Sequence, residues 1–333
     1  MEFMKLKPKI PLILVIASIG IVAIFPLLVK DRFTISILVE AGVMCLFALG
    51  FAAVLHSGQL SLGQAAFAAI GGYMAAILAT KVGTPFWLAL LAGGTAAAII
   101  AFILGIVILR IGGLCFSIAT LALGEITVII ARNWDKVTQG FTGIAVNAPV
   151  VKIGDTAINF ALTQLPYYYI VLLLIILAAL ILWRINHSRL GRIVRSVAVS
   201  PVLSEHLGVY LTKYRLIIFM LAAFITGVGG AFYVYYGAWI GPTLFSSTLS
   251  MSLLIMCALG GLWSPVAGPI IGAIIVTYLG TLMQMRLEGL RPLVFGVMVI
   301  VLIWVMPNGL VTLQYNLPLW AKALFKKKLV KTN

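Results

Sequence analysis

Apolar runs of about twenty residues recur along almost the whole chain, and no other feature limits the possible folds so strongly. They fall at 10–29, 34–55, 62–80, 86–109, 112–131, 167–183, 216–236, 248–262, 266–285 and 292–310. A helix needs about twenty such residues to cross the ~30 Å hydrocarbon layer, so the runs give about ten helices if each crosses once. The 333 residues are 63% hydrophobic and only 9% charged, with a mean hydropathy of +1.17. A water-soluble fold needs far more charge on its outside, whereas lipid solvates an apolar surface. The expectation is an all-α polytopic transmembrane helical bundle of eight to ten spans, about ten if every run crosses. Three Gly-, Ser- and Pro-rich segments, 56–64, 110–117 and 260–269, lower the count if they are broken or re-entrant helices.

The net charge of +15 points first to nucleic acid, but the placement of the basic residues argues against it. They cluster between spans: Lys5, Lys7 and Lys9; Arg184, Arg189, Arg192, Arg195, Lys213 and Arg215; Lys322, Lys326, Lys327, Lys328 and Lys331. That is the positive-inside pattern, and it also suits anionic headgroups. With the N-terminus inside, alternate crossings put 132–166 outside, 184–215 inside and the basic tail 314–333 inside. The outer loop carries Arg132, Lys136 and Lys152 against Asp135 and Asp155, close to neutral. Both termini are therefore expected in the cytoplasm, with one membrane domain over 1–333 whose core is 10–310. The run 10–29 is longer than a secretory-signal core and lacks a small-residue cleavage pattern, so it reads as a retained first span. Cys45, Cys115 and Cys257 lie in apolar runs without metal or disulfide spacing.

No catalytic residue set, cofactor motif or metal motif is legible. His56, His187 and His206 are scattered, no HExxH or GxSxG occurs, and no Gly-Lys dipeptide exists to build a phosphate-binding P-loop. Any nucleotide energy must come from another subunit, and the expectation is no enzyme. Two acids lie within spans, Glu40 and Glu125. A charge at mid-membrane costs about 2.5–3.5 kcal/mol on insertion scales, so each needs a hydrated or hydrogen-bonded setting. Glu125 either lines a pathway or serves as a structural acceptor; for Glu40 the outer interface is explanation enough.

The segment 184–215 contains a short helix. Ser200-Pro201 is a helix start, with a side-chain oxygen available to cap free N–H groups and a following residue of preset φ. Gly208 is a natural stop. Between them Val199, Val202, Leu203 and Leu207 make an apolar stripe carrying Glu205. This amphipathic helix of about 201–207 either rests on lipid or docks into a partner's groove, and its compactness favours docking.

At the other informative place, "HSGQLSLGQ", the polar residues Ser57, Gln59, Ser61 and Gln64 stand at the mouth of an apolar helix. Gly58 and Gly63 allow a bend there, and the small residues that follow permit close helix contact. The group is either the lining of a translocation pathway or the capping of a helix end at the inner membrane edge. A weaker echo relates "SLGQAAFAAIGGYMAAIL" to "SPVAGPIIGAIIVTYL", as an internal repeat or as two small-residue packing faces.

In order along the chain, "SGQLSLGQAAFAAIGGYMAAIL", "GGLCFSIATLALGEI", "NWDKVTQGFTGI", "SEHLGV", "TKYRLIIFMLAAFITGVGGAFY", "LGGLWSPVAGPIIGAIIVTYL" and "MPNGLV" resemble the permease subunits of branched-chain amino acid ABC importers of the high-affinity leucine type. The likeness runs from about 35 to 313 and is greatest to the larger of the two paired permeases. It implies a heterodimeric permease in the plasma membrane that works with a second permease subunit, two cytoplasmic ABC ATPase subunits and an extracytoplasmic substrate-binding protein. The family's Glu-x-x-Gly coupling segment falls by match on Glu205 and Gly208. The preceding "VAVSPVLS" is neutral where the family is usually acidic, and His56-Ser57 replaces the usual aromatic and small pair before Gly-Gln. The readings that stay open are a related importer carrying urea or short amides, and a self-sufficient secondary transporter or channel.

Overall fold

The computed structural model describes residues 31–153, 156–159, 164–261 and 264–286, with Pro26 and Gly296 besides. Apart from those two residues, the expected spans at 10–29 and 292–310 lie outside the described residues, as does the tail at 314–333. The long helices are α1 (Arg32–Leu55), α2 (Gln64–Ile77, prolonged by a wider turn over Leu78–Val82), α3 (Phe86–Ile108) and α4 (Leu114–Asn133). After a short α5 (Asp135–Thr138) come β1 (Ile144–Ala145), β2 (Val150–Ile153) and β3 (Thr156–Asn159). Then follow α6 (Leu165–His187), α7 (Arg189–Val199), α8 (Pro201–His206), α9 (Leu211–Gly237), β4 (Trp239–Ile240), α10 (Ser247–Gly260) and α11 (Ala267–Arg286).

Among the described residues six helices, α1, α2 with its extension, α3, α4, α6 and α9, are long and apolar enough to cross a membrane. The chain is thus the polytopic helical bundle expected from its composition. The fourteen residues of α10 rise only about 21 Å, short of the ~30 Å hydrocarbon layer, so the run at 248–262 is not a full helical crossing by itself. The segment 110–117 resolves into an exposed tight turn and the first residues of α4, with Gly113 at φ +63°. The expected outer loop 132–166 carries the end of α4, α5 and a β2–β3 hairpin.

Asp31 starts α1 by accepting the Phe33 N–H at 3.3 Å. The centre of the bundle is α1, α2 and α9, with α9 packed against α1, α2 and α3 and with α6 and α11 on the far side of α1. On α3 the residues Ala89, Gly93, Ala97, Ala101 and Gly105 recur every fourth position and are buried, while Leu88, Leu91, Ile99, Ile103 and Val107 are exposed. The small stripe lets backbones meet and the large one is left for lipid. The same device brings α2 onto α9. A Cβ on Gly71 would strike the Gly227 carbonyl, and one on Gly230 would strike the Ala68 carbonyl. The α10–α11 hairpin repeats it, since a Cβ on Gly272 would strike the Met256 carbonyl. Both segments of the internal echo therefore act as close-packing faces.

Contacts between loops sort the two ends of the bundle. At one end Ile144 and Ala145 pair with Ile240 and Trp239, and Ser36 on α1 donates to Gln164 at 2.8 Å. At the other end the turn after α1 touches α7, where a Cβ on Gly58 would lie 2.8 Å from Ala198 Cα. The segments 56–58 and 188–210 thus share one end, and 144–145, 239–240 and Gln164 share the opposite one.

Candidate functional site

The chain between α1 and α2 runs back into the bundle. Leaving Leu55, it makes a tight turn in which the Ser57 and Gly58 N–H groups donate to the Val54 and Leu55 carbonyls at 2.9 and 3.0 Å. Gly58 takes φ +81°, a left-handed conformation that costs a Cβ-bearing residue about 1–2 kcal/mol. The next residues are not helical, and their backbone groups are satisfied by side chains from distant helices. The Leu60 carbonyl accepts from Ser117 Oγ of α4 at 2.8 Å, and the Leu62 N–H donates to Thr120 Oγ1 at 3.0 Å. At the start of α2 the Ala65 N–H donates to Ser250 Oγ of α10 at 3.1 Å. Without these hydroxyls the turn would bury bare peptide groups inside an apolar bundle.

The turn ends deep in the protein. Thr226 Oγ1 lies 3.0 Å from Gln64 Oε1 and 2.9 Å from the Ala222 carbonyl. Thr226 follows Leu211, the first residue of α9, by fifteen positions, which is about 22 Å along the helix. Phe67, one turn into α2, meets Phe219 of α9 edge-on at 5.2 Å, and Phe116 of α4 meets the same ring at 6.1 Å. These rings fix where α2, α4 and α9 converge beside Gln64.

Of the polar residues singled out in the sequence, the structure brings four together. Ser57, Gln59, Ser61 and Gln64 are all buried, at 2%, 4%, 1% and 0% exposure. They divide by role. Ser57 Oγ donates to the Val54 carbonyl at 2.6 Å, which is local helix capping. In contrast, both amide atoms of Gln59, the Ser61 hydroxyl and Gln64 Nε2 are buried with no hydrogen-bond partner among the described residues. An unmet buried polar group costs about 1–3 kcal/mol, and here three neighbouring side chains carry that cost. Glu125 is apart from them. It stands on α4 in an exposed stripe with Cys115, Ile118, Ala122 and Ile129.

The second expected site is α8. Ser200 occupies the N-cap position, but its side chain makes no capping bond; its carbonyl instead accepts from the Ser204 N–H at 3.1 Å and Ser204 Oγ at 2.9 Å. With Pro201 at the first helical position there is one N–H fewer to cap. Gly208 ends the helix as expected, at φ +82°, with its N–H on the Glu205 carbonyl at 2.9 Å and the Val209 N–H on the Ser204 carbonyl at 3.0 Å. These two bonds form a Schellman motif. Val199, Val202, Leu203 and Leu207 are 81%, 66%, 60% and 76% exposed, and Glu205 is exposed beside them.

Sequence reasoning did not find Ser117, Thr120, Thr226, Ser250 or Ala198. Isolated hydroxyls inside apolar helices ordinarily bond their own turn, as Thr226 also does, so nothing in the sequence ties them to a segment up to 185 positions away.

Residues 33–305 match the family described as branched-chain amino acid transport system / permease component. Among curated proteins the chain is 29% identical over 315 residues to the high-affinity branched-chain amino acid transport system permease protein LivM of Escherichia coli strain K12, covering 89% of this chain and 73% of that one. It is 28% identical over 273 residues to the LivM protein of Salmonella typhimurium strain LT2, covering 76% of this chain and 64% of that one, just under two thirds of its length. No solved structure matches it. With the match spanning most of its length and six apolar helices of crossing length, the chain belongs to this permease family, the transport component of ABC importers, and is a multi-pass integral protein of the inner membrane.

Proposed function

We propose that this chain is one of two paired permeases of an ABC importer for branched-chain amino acids or a closely related small polar solute, and that the solute passes the buried turn 57–64. The observation that carries this reading is the set of unmet polar groups on Gln59, Ser61 and Gln64, held at mid-helix depth beside the N-terminus of α2. Broken-helix N-termini in transporters favour the carboxylate of a zwitterion, because free N–H groups and the helix dipole point at it. Ser57, whose hydroxyl is engaged locally, shapes the turn rather than meeting the solute. Glu125 faces outward from α4, where water or the second permease subunit completes its surroundings, and its role is to line the pathway between the two permeases.

In this reading the end of the bundle holding 56–58 and 188–210 is cytoplasmic, as are both termini, in line with the basic clusters flanking the spans. The chain is a transport subunit and not itself an enzyme. ATP is hydrolysed by two separate cytoplasmic ATPase subunits, one of which grips α8 through the exposed Leu203, Leu207 and Glu205, with the Ser200-Pro201 start and the Gly208 stop setting the helix ends. A substrate-binding protein delivers solute on the opposite side. The contact of Gly58 with Ala198, directly before α8, supports a short mechanical path from the ATPase to the turn.

The test is co-purification of the detergent-solubilised chain expressed with its genomic neighbours. A second permease and an ATPase should accompany it, and Glu205→Lys should release the ATPase while membrane insertion and the permease pairing persist. Isolation as a homo-oligomer with no ATPase would support a secondary transporter or channel instead.

A further inference from the structure

At the end of α6 and the start of α7, part of the basic cluster that orients the spans is gathered around one cavity. Arg184, Arg189 and Arg192, with His187 and Ser188, line an open cavity of about 340 Å³. All three arginines are exposed, and among the described residues none has an acidic partner. Nor are they engaged as Arg195 is, which donates to the Gly191 and Asn186 carbonyls at 3.2 and 2.9 Å. Arg189 and Arg192 also lie in the opening turns of α7, whose first turn has no acidic residue. Cations are disfavoured at that end of a helix by the macrodipole. Three guanidinium groups line one cavity, where their mutual repulsion opposes them; the field at the start of α7 disfavours Arg189 and Arg192, while Arg184, in the last turn of α6, sits where a cation is favoured, and the excess of positive charge calls for an anion.

The surface leading to the cavity says which anion. On α6, Leu173, Leu177 and Leu180 are 48%, 47% and 59% exposed, and their spacing of four and three continues by four more residues to Arg184, on one helical stripe. The opposite face of α6 is the one packed in the bundle, through Val171 against Gly42 of α1. From Leu173 to Arg184 the stripe rises about 16 Å, close to the ~15 Å hydrocarbon depth of one leaflet. Trp183, 54% exposed, lies beside the stripe at its charged end with its ring 4.7 Å from that of His187, where interfacial tryptophans anchor helices.

We infer that this cavity binds the phosphate of an anionic phospholipid, whose acyl chain lies along Leu173, Leu177 and Leu180 while Arg184, Arg189 and Arg192 hold the headgroup. Arginine suits the role because its planar donors fit phosphate oxygens in pairs. Bound there, the lipid neutralises the start of α7, the helix whose Ala198 supports the turn at Gly58.

The full chain, purified with its co-expressed partners, is titrated with phosphatidylglycerol or phosphatidylcholine of matched acyl chains, and bound lipid is counted by native mass spectrometry. Phosphatidylglycerol should be preferred. A basic residue near anionic lipid contributes about fivefold in affinity, so Arg189→Gln with Arg192→Gln should weaken phosphatidylglycerol about thirtyfold. The double variant Arg189→Lys with Arg192→Lys, which keeps the charge, should retain most of the binding and serves where the glutamine variant fails to fold. Arg110→Gln with Lys213→Gln, the same charge loss elsewhere, should leave binding within about threefold. Equal retention of the two lipids, or equal loss in both glutamine variants, overturns the site. Displacement of phosphatidylglycerol by millimolar inorganic phosphate would make it a free-phosphate site and overturn the lipid assignment. Loss of the ATPase from the complex with lipid binding unchanged would make it a protein-docking surface and overturn it as well.

Discussion

Replacing Gln64 with Met should stabilise the folded protein while abolishing transport. In the native chain Gln64 Oε1 takes a hydrogen bond from Thr226 Oγ1 at 3.0 Å, and Nε2 is buried without a partner among the described residues. Removing the amide forfeits about 0.5–1.5 kcal/mol for the hydrogen bond. The Thr226 hydroxyl is not orphaned, since the Ala222 carbonyl lies 2.9 Å away. The same substitution relieves about 1–3 kcal/mol of unpaired burial, and Met nearly matches Gln in length and shape. The balance centres on a gain of about 1 kcal/mol and reaches about 2.5 kcal/mol at most, a rise of a few degrees in thermal midpoint for a chain of this size. Thr226→Val acts on the same hydrogen bond with the opposite sign. It leaves Gln64 Oε1 stranded, at a cost of about 1–3 kcal/mol. The assay is thermal unfolding of both variants in one detergent, paired with uptake of labelled leucine by the reconstituted complex. A Gln64→Met protein that unfolds as early as Thr226→Val, yet still takes up leucine, would show that the amide is a structural pin and would refute the argument.

Three further outcomes are expected. Gly58→Ala introduces about 1–2 kcal/mol of left-handed strain and drives a methyl group toward Ala198; it should reduce uptake at least tenfold with the ATPase still attached, whereas unchanged uptake would remove the proposed path from α7 to the turn. Gly230→Val should abolish accumulation in the membrane, because its side chain meets the Ala68 backbone, and normal accumulation by immunoblot would contradict the close packing of α2 on α9. Glu125→Ala should impair uptake more than co-purification of the second permease; equal loss of both would make Glu125 part of the permease interface rather than of the pathway.

The bundle was legible in the sequence because the physical signal is one-dimensional. Crossing a bilayer needs a contiguous apolar stretch, and the runs at 34–55, 86–109 and 167–183 appear as α1, α3 and α6 with ends moved by a few residues. The run at 248–262 is only fifteen residues and appears as the fourteen-residue α10, so it accounts for one of the crossings the sequence left open. The stop of α8 at Gly208 was equally legible, because a left-handed residue after a helix is a local requirement. Its start was read correctly in position but not in mechanism: the side chain of Ser200 is free to cap and does not.

The polar turn marks the boundary between the two kinds of information. Composition alone determined that polar residues 57–64 in so apolar a chain stand out. Whether Gln59 and Gln64 reach water, lipid or protein was decided by Ser117, Thr120, Thr226 and Ser250, residues remote in sequence whose hydroxyls look self-satisfied when read alone. Likewise the sequence left Glu125 open between lining a pathway and accepting hydrogen bonds from neighbouring helices, and the packing of α4 against α2 and α10 fixes which stripe of that helix is covered and leaves Glu125 facing outward. Hydrophobic length is a property of a segment, and the sequence contains it whole. Burial and pairing of a polar side chain are properties of what surrounds it, and they exist only once the helices have met.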